Sequence, residues 1–206
     1  MNDLIGHPAP TIVLPRQDGS SYALRPGQTG RRAVLFFFAK AGAMNCVYEV
    51  AHFREAIRED PLFRDVDVVG VSEDTVPKLR MLSTGHELTY PLLSDPQRVA
   101  HRAYRVQRGL FRWWVSRMTY VIDERGIVRA GLDEWAWDKH VPFVADWLRK
   151  LDREAATAAA AKGSAAAGPT TSTTGSLPPG APSLNGAAAT PAKGAALPVN
   201  GHAVAV

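Results

Sequence analysis

AVLFFFAKAGAMNCVYEVAHFRE, residues 33–55, sets an unbroken apolar run directly before a stretch with helical spacing. Ala33 to Phe38 is continuously apolar, as a strand covered on both faces is. From Asn45 onward, Val47, Val50, Ala51, Phe53, Ala56 and Ile57 recur at helical intervals and leave Arg54, Glu55, Arg58 and Glu59 for solvent. A buried strand that feeds an amphipathic helix is the working unit of an α/β protein. Cys46, the one cysteine of the chain, falls at that junction. The unpaired amides of a first helical turn carry partial positive charge, which eases loss of the thiol proton. A small apolar residue filling a gap is the other reading, and position alone leaves both open.

The flanking sequence extends the pattern. TIVLP, the Asp18-Gly19 turn and SYAL read as a hairpin, and VDVVGVS (Val66 to Ser72) as a second buried strand. Asp74 or Thr75 can cap a short helix through Leu82. Tyr90 to Ser94 is a short extended piece. Asp95-Pro96 then offers an N-cap and a proline suited to the first helical position, for a helix to about Tyr104. Arg117 to Ile122 and Ile127 to Leu132 form a hairpin about a turn at 124–126. Asp138 caps a final helix with Val141, Val144, Leu148 and Leu151 on one face. The expected architecture is an α/β sandwich with a mixed central sheet flanked by helices.

Composition divides the chain. Residues 1–154 mix aromatics, branched aliphatics and charges as one globular domain does. Residues 155–206 are almost wholly Ala, Gly, Pro, Ser and Thr, which reads as a disordered tail, with AATAAAAK prolonging the last helix until Gly163. One cysteine excludes an internal disulfide framework and a multi-cysteine metal centre, and no His/Asp/Glu spacing suggests a metal. The start, MNDLIGHPAP, lacks the features of a secretory signal, and no run approaches the roughly 20 apolar residues of a membrane span. A protein of the cytoplasm, with no membrane partner, is expected. The formal net charge is +4, and Lys162 and Lys193 of the tail account for two of those charges. Arg98, Arg102, Arg105, Arg108, Arg112 and Arg117 cluster around Tyr104, Phe111, Trp113 and Trp114. That mixture suits a nucleic-acid surface or a solvated face with packing residues between. The second is preferred, because no nucleic-acid motif accompanies it.

Taken together, IGHPAP (Ile5 to Pro10), the stretch from Phe36 to Glu55, VVGVSED, YPLLSDP (Tyr90 to Pro96) and SRMTYVIDERGIV form an ordered set. They resemble the peroxiredoxins, in particular the bacterioferritin-comigratory or Q-type branch, from Ile5 to about Leu151. The resemblance implies a thioredoxin-like fold and a thiol-dependent peroxidase that needs no cofactor. It puts Cys46 on the peroxidatic cysteine, Arg117 on the active-site arginine, Phe53-Arg54 on the family's Phe-Arg pair and Glu49 on a carboxylate of the Q-type pattern. The family's proline seven residues before the cysteine and threonine three before it are Ala39 and Ala43 here. Met44 and Asn45 complete the expected substrate-facing segment, Met44 by excluding water and Asn45 by donating to an oxygen. The position of a resolving cysteine is Ala51. The implied enzyme is a one-cysteine peroxidase for hydrogen peroxide or organic hydroperoxides. Its sulfenic acid would be reduced by an external thiol: thioredoxin, glutaredoxin or a low-molecular-weight thiol. It would act as a monomer or homodimer, with the tryptophans in the core or an interface. A redox sensor or binding scaffold without efficient turnover is the alternative that the two alanines suggest.

Overall fold

The computed structural model describes residues 3–107 and 117–166. It opens on a hairpin, β1 (Ile12–Pro15) and β2 (Ser21–Leu24), paired antiparallel. The turn is built as Asp-Gly turns are: Asp18 Oδ1 accepts from the Ser20 amide at 2.8 Å, and Gly19 takes φ +93°.

The central sheet has five strands in the order β5-β4-β3-β6-β7. Strands β3 (Arg32–Phe37), β4 (Val66–Ser72) and β5 (Leu92–Ser94) are parallel, and β6 (Met118–Ile122) and β7 (Val128–Asp133) add antiparallel on the other side of β3. Helices α1 (Met44–Glu59), α2 (Val76–Gly85), α3 (Val99–Ala103) and α4 (His140–Ala166) cover the sheet. The mixed, helix-flanked architecture expected from the sequence is the one observed.

The central position of β3 explains its unbroken apolar run. Val34 and Phe36 face a cluster with Cys46, Val50 and Phe53 of α1, Leu79 of α2, and Val144 and Leu148 of α4. Leu35 and Phe37 face an opposite cluster with the hairpin and with Ala100 of α3. All four are fully buried, and each large side chain so covered contributes about 1.5–3 kcal/mol. Phe36 stacks on Phe53 with ring centroids 4.3 Å apart, which fixes α1 over the sheet. Gly70 of β4 leaves room for that ring: a Cβ there would lie 2.8 Å from Phe36 Cζ and 2.7 Å from Leu92 Cδ2.

Several boundaries differ from expectation: α2 runs to Gly85, past Leu82, and its N-cap Thr75 makes no side-chain bond to it. The third helix starts at Val99, not at Pro96, because Arg98 takes a left-handed conformation (φ 57°) and a turn precedes the helix. Asp95 still caps it, at longer reach, accepting from the Val99 amide at 2.6 Å and the His101 amide at 3.0 Å. Asp138 does not cap the final helix. It lies in a short 3-10 turn, Trp137–Lys139, and α4 begins at His140. Finally, α4 extends past Glu154 as expected but is not ended by Gly163, and it reaches Ala166. Alanine is the best helix former, and one glycine costs only about 1 kcal/mol against it.

Four of the clustered arginines have partners that bind them to the fold. Arg98 pairs with Glu73 and donates to the Val106 carbonyl at 2.9 Å, Arg102 donates to the Gln97 carbonyl at 2.7 Å, and Arg105 pairs with Asp3. Arg117 enters the site described below. Arg108, Phe111, Arg112, Trp113 and Trp114 lie outside the described residues. Among the described residues, no helix is long and apolar enough to cross a membrane, and no cluster of three potential metal ligands occurs.

Candidate active site

The sheet brings the start of α1 and the start of β6 together. β3 leads through residues 38–43 into α1, and β6 pairs antiparallel beside β3, with Phe37 opposite Met118. Residue 117 therefore arrives next to the first turn of α1, although 71 positions separate it from Cys46 in sequence.

Cys46 is a free thiol with no exposed surface. Arg117 is 2% exposed, and its guanidinium spans the site. Nη2 donates to Cys46 Sγ at 3.4 Å, and Nη1 donates to Glu49 Oε2 at 2.6 Å and to the Asn45 carbonyl at 3.2 Å. The Trp135 ring centroid lies 5.2 Å from Arg117 Cζ, a cation–π contact that covers the guanidinium without neutralising it. A guanidinium stays charged at any relevant pH, so the sulfur faces a permanent positive charge in a water-poor setting.

Glu49 is fully buried. Burial pushes its carboxyl up to about 8, with the charge and hydrogen bond of Arg117 pulling the other way. Oε2 is bonded to Arg117, whereas Oε1 has no hydrogen-bond partner among the described residues. Behind Oε1 lies His140, also fully buried, with Nδ1 at 3.8 Å. Its Nδ1 is 2.7 Å from Thr119 Oγ1, and its Nε2 is 3.0 Å from the Glu134 carbonyl oxygen.

The loop before the cysteine is tied down by Asp74. Its Oδ2 accepts from the Ala41 amide at 2.6 Å and from Ser72 Oγ at 3.0 Å. Ala43 is the N-cap of α1 and provides no side-chain bond to the helix. Met44 is 69% exposed, and the Asn45 side chain is exposed as well. The contribution of Asn45 to the contacts described is its carbonyl, held by Arg117. The Cys46 amide donates to the Ala43 carbonyl at 2.9 Å. Lys40, Ala41, Gly42 and Ala43 line one wall of an open groove whose other wall is Lys78, Met81 and His86 of α2 and its C-terminal end. Phe53 and Arg54 serve the helix seat: Phe53 packs on Phe36, and Arg54 donates to the His86 carbonyl at 2.8 Å.

Of the residues singled out from sequence, Cys46, Glu49 and Arg117 converge within hydrogen-bonding distance, and Asn45 joins through its backbone. Ala43 and Met44 stand at the outer rim. From sequence, Asp74 is read as a helix cap, and Thr119, Trp135 and His140 are given no part in the site. A signal existed for Thr119, two residues after Arg117 on a strand and therefore on the same face. The one for Asp74 lay in the Ser72–Asp74 spacing, which suits a side chain bonding back to a local backbone.

The AhpC/TSA family model matches residues 5–131 of this chain. A putative peroxiredoxin of Mycobacterium tuberculosis is 33% identical over 143 residues, which are 67% of this chain and 91% of the relative. Peroxiredoxin Bcp of Escherichia coli K12 is 29% identical over 157 residues, covering 73% of this chain and 99% of that one. Among solved structures, the peroxidoxin BcpB of Mycobacterium tuberculosis superposes with a TM-score of 0.64 at 30% identity, over 71% of this chain and 96% of the other. With the thioredoxin-like fold and the thiol–guanidinium pair in hand, the chain belongs to the AhpC/TSA family, among its Bcp-type peroxiredoxins.

Proposed function

We propose that the protein is a one-cysteine thiol peroxidase in which Cys46 is the nucleophile and Arg117 the charge that activates it. The observation that carries the reading is the 3.4 Å contact between Arg117 Nη2 and Cys46 Sγ in a buried site at the start of α1. The thiolate attacks one oxygen of hydrogen peroxide or an organic hydroperoxide. An S–O bond forms, the O–O bond breaks, and hydroxide or alkoxide leaves to take up a proton. Charge develops on the departing oxygen, and a donor already in place lowers that barrier without reorganising. Arg117 serves both stages, since it favours the ionised sulfur first and the leaving oxygen afterwards. Ala43, Met44 and Asn45 form the entrance, and Glu49 holds the guanidinium in register.

With one cysteine in the chain, the sulfenic acid is resolved from outside. A first external thiol displaces water to give a mixed disulfide, and a second releases Cys46 as thiol and carries away the disulfide. Thioredoxin, glutaredoxin and low-molecular-weight thiols all fit this chemistry. Such a cycle needs the reducing pool of the cytoplasm, where we place the enzyme, acting as a monomer or homodimer.

Peroxide consumption with dithiothreitol as reductant tests the reading. Wild-type protein is expected to remove peroxide catalytically and the Cys46→Ser variant to be silent. Equal consumption by the two proteins would refute it.

A further inference from the structure

The fully buried His140 has no place in the chemistry above, and its surroundings define its protonation. A carbonyl oxygen only accepts, so the 3.0 Å contact with Glu134 places a proton on Nε2. In the neutral ring Nδ1 then carries a lone pair, and the Thr119 hydroxyl at 2.7 Å donates to it. Glu49 Oε1, 3.8 Å from Nδ1 and without a hydrogen-bond partner among the described residues, thus faces a nitrogen with no proton to give.

We propose that His140 is a positioning residue for the thiol. Locked as the Nε2–H tautomer, it withholds a donor from the inner oxygen of Glu49 and so leaves the charge of Arg117 to the Cys46 sulfur. This rests on the peroxidase reading above and deepens it.

The argument is one of charge balance in a dry pocket. Arg117 is one cation with two acidic contacts, Glu49 at 2.6 Å and Cys46 at 3.4 Å. If Glu49 is ionised, it takes the guanidinium as its counter-ion, and a second anion on sulfur is disfavoured. If Glu49 is protonated, the thiolate is the guanidinium's remaining partner. A buried carboxylate needs donors at both oxygens to stay charged, and His140 supplies none to Oε1.

The other charged and titratable neighbours agree. Tyr90, ahead of β5, spends its hydroxyl on the Val50 carbonyl at 2.8 Å, so it offers Glu49 no proton. Burial and the nearby Arg117 hold His140 below its ordinary range and keep the ring neutral, against an opposing pull from Glu134 and Asp133 at the end of β7. Burial likewise raises Glu49 to about 8. A carboxyl so raised keeps its proton at neutral pH.

The test is the pH profile of Cys46 alkylation by iodoacetamide in full-length protein. His140→Asn puts an amide donor where Nδ1 stood. It is expected to move the inflection set by Glu49, near 8, downward by about one unit and to slow alkylation at pH 8 by about 3- to 10-fold. His140→Gln, whose amide sits one methylene further out at the Nε2 position, keeps the donor to the Glu134 carbonyl and should leave the inflection in place; a shift would count against the proposal. His140→Phe supplies no donor and should keep the inflection. In a Glu49→Gln background, His140→Asn should change the rate less than about 2-fold, since no carboxylate remains for it to stabilise. Equal slowing with and without the Glu49 carboxyl, or a wild-type inflection that His140→Asn does not move, would overturn the proposal. Alkylation reads the sulfur whether or not peroxide is consumed. Loss of the peroxidase reading with the alkylation pattern intact would thus be told apart from loss of this one.

Discussion

Replacing Arg117 with glutamine removes the one positive charge in contact with Cys46 among the described residues while preserving much of the side chain's volume. At 3.4 Å, a unit charge favours an ionised sulfur by about 5 kcal/mol at an effective dielectric of ~20 and by about 1 kcal/mol at ~80. Sulfur and guanidinium are both buried, which argues for the upper end. The same guanidinium also serves Glu49, which argues against the full amount. An intermediate loss of about 2–4 kcal/mol corresponds to roughly 30- to 1000-fold less thiolate at neutral pH. Iodoacetamide alkylation at pH 7 measures that population, and stopped-flow peroxide reduction under single-turnover conditions measures its consequence. The peroxide rate should fall further than the alkylation rate, because alkylation has no developing oxygen anion for Arg117 to stabilise. Arg117→Lys keeps a charge but cannot span Cys46, Glu49 and the Asn45 carbonyl together, so it should recover the alkylation rate in part and the peroxide rate less. If Arg117→Gln alkylates within a factor of about 3 of wild type, with circular dichroism showing an intact fold, the electrostatic account of the site is wrong.

Other expectations follow from the same geometry. Ala43→Thr gives α1 a capping hydroxyl and places a donor at the site's rim. Stability should rise by about 1 kcal/mol, and kcat/KM for peroxide should rise with it; an unchanged denaturation midpoint and rate would refute this. Glu49, raised from its ordinary value to about 8, stabilises the fold fully below about 4.5 and loses that contribution as pH climbs through 8. Urea denaturation of wild type should weaken between pH 5 and 9 by up to about 4 kcal/mol more than that of Glu49→Gln, and parallel pH profiles would count against the buried acid. Gly70→Ala should cost about 1–3 kcal/mol by pushing Phe36 and Leu92, and thermal melting checks it. Without an external thiol, mass spectrometry after excess peroxide should find Cys46 oxidised past the sulfenic acid, whereas accumulation of a stable sulfenic acid would contradict the buried, unresolved site.

The fold was legible because its central strand declares itself: a run such as Ala33–Phe38 fits few places other than the middle of a covered sheet. The hairpins were legible through their turn residues. Helix starts were not. Asp95 and Asp138 both carry a capping side chain, yet one reaches four and six residues onward and the other sits in a 3-10 turn. Which amide a short side chain captures depends on the path of the chain before it, and that path is set by packing. Within the site, Cys46 stood out by its place between a buried strand and a helix, and Glu49 and Arg117 through the resemblance to the peroxiredoxins. His140 could not. From sequence it is one residue near a helix start, and its meaning comes from Thr119 of β6, 21 positions away, and from the carbonyl of Glu134, just past the end of β7.

The start of α1 is unlatched: Ala43 contributes no side chain to hold the helix's leading amides, and no acid sits in its first turn. A visiting thiol must touch a sulfur that is wholly covered, so some part of the wall has to step aside. The leading turn is the cheapest part to release, since helix ends open at a small fraction of the cost of global unfolding. Phe53 on Phe36 meanwhile keeps the rest of the helix seated. The two half-reactions thus pull residue 43 in opposite directions. A threonine would grip the oxidant more firmly and also bolt the door that the reductant uses, so the faster first step would be bought with a slower second one.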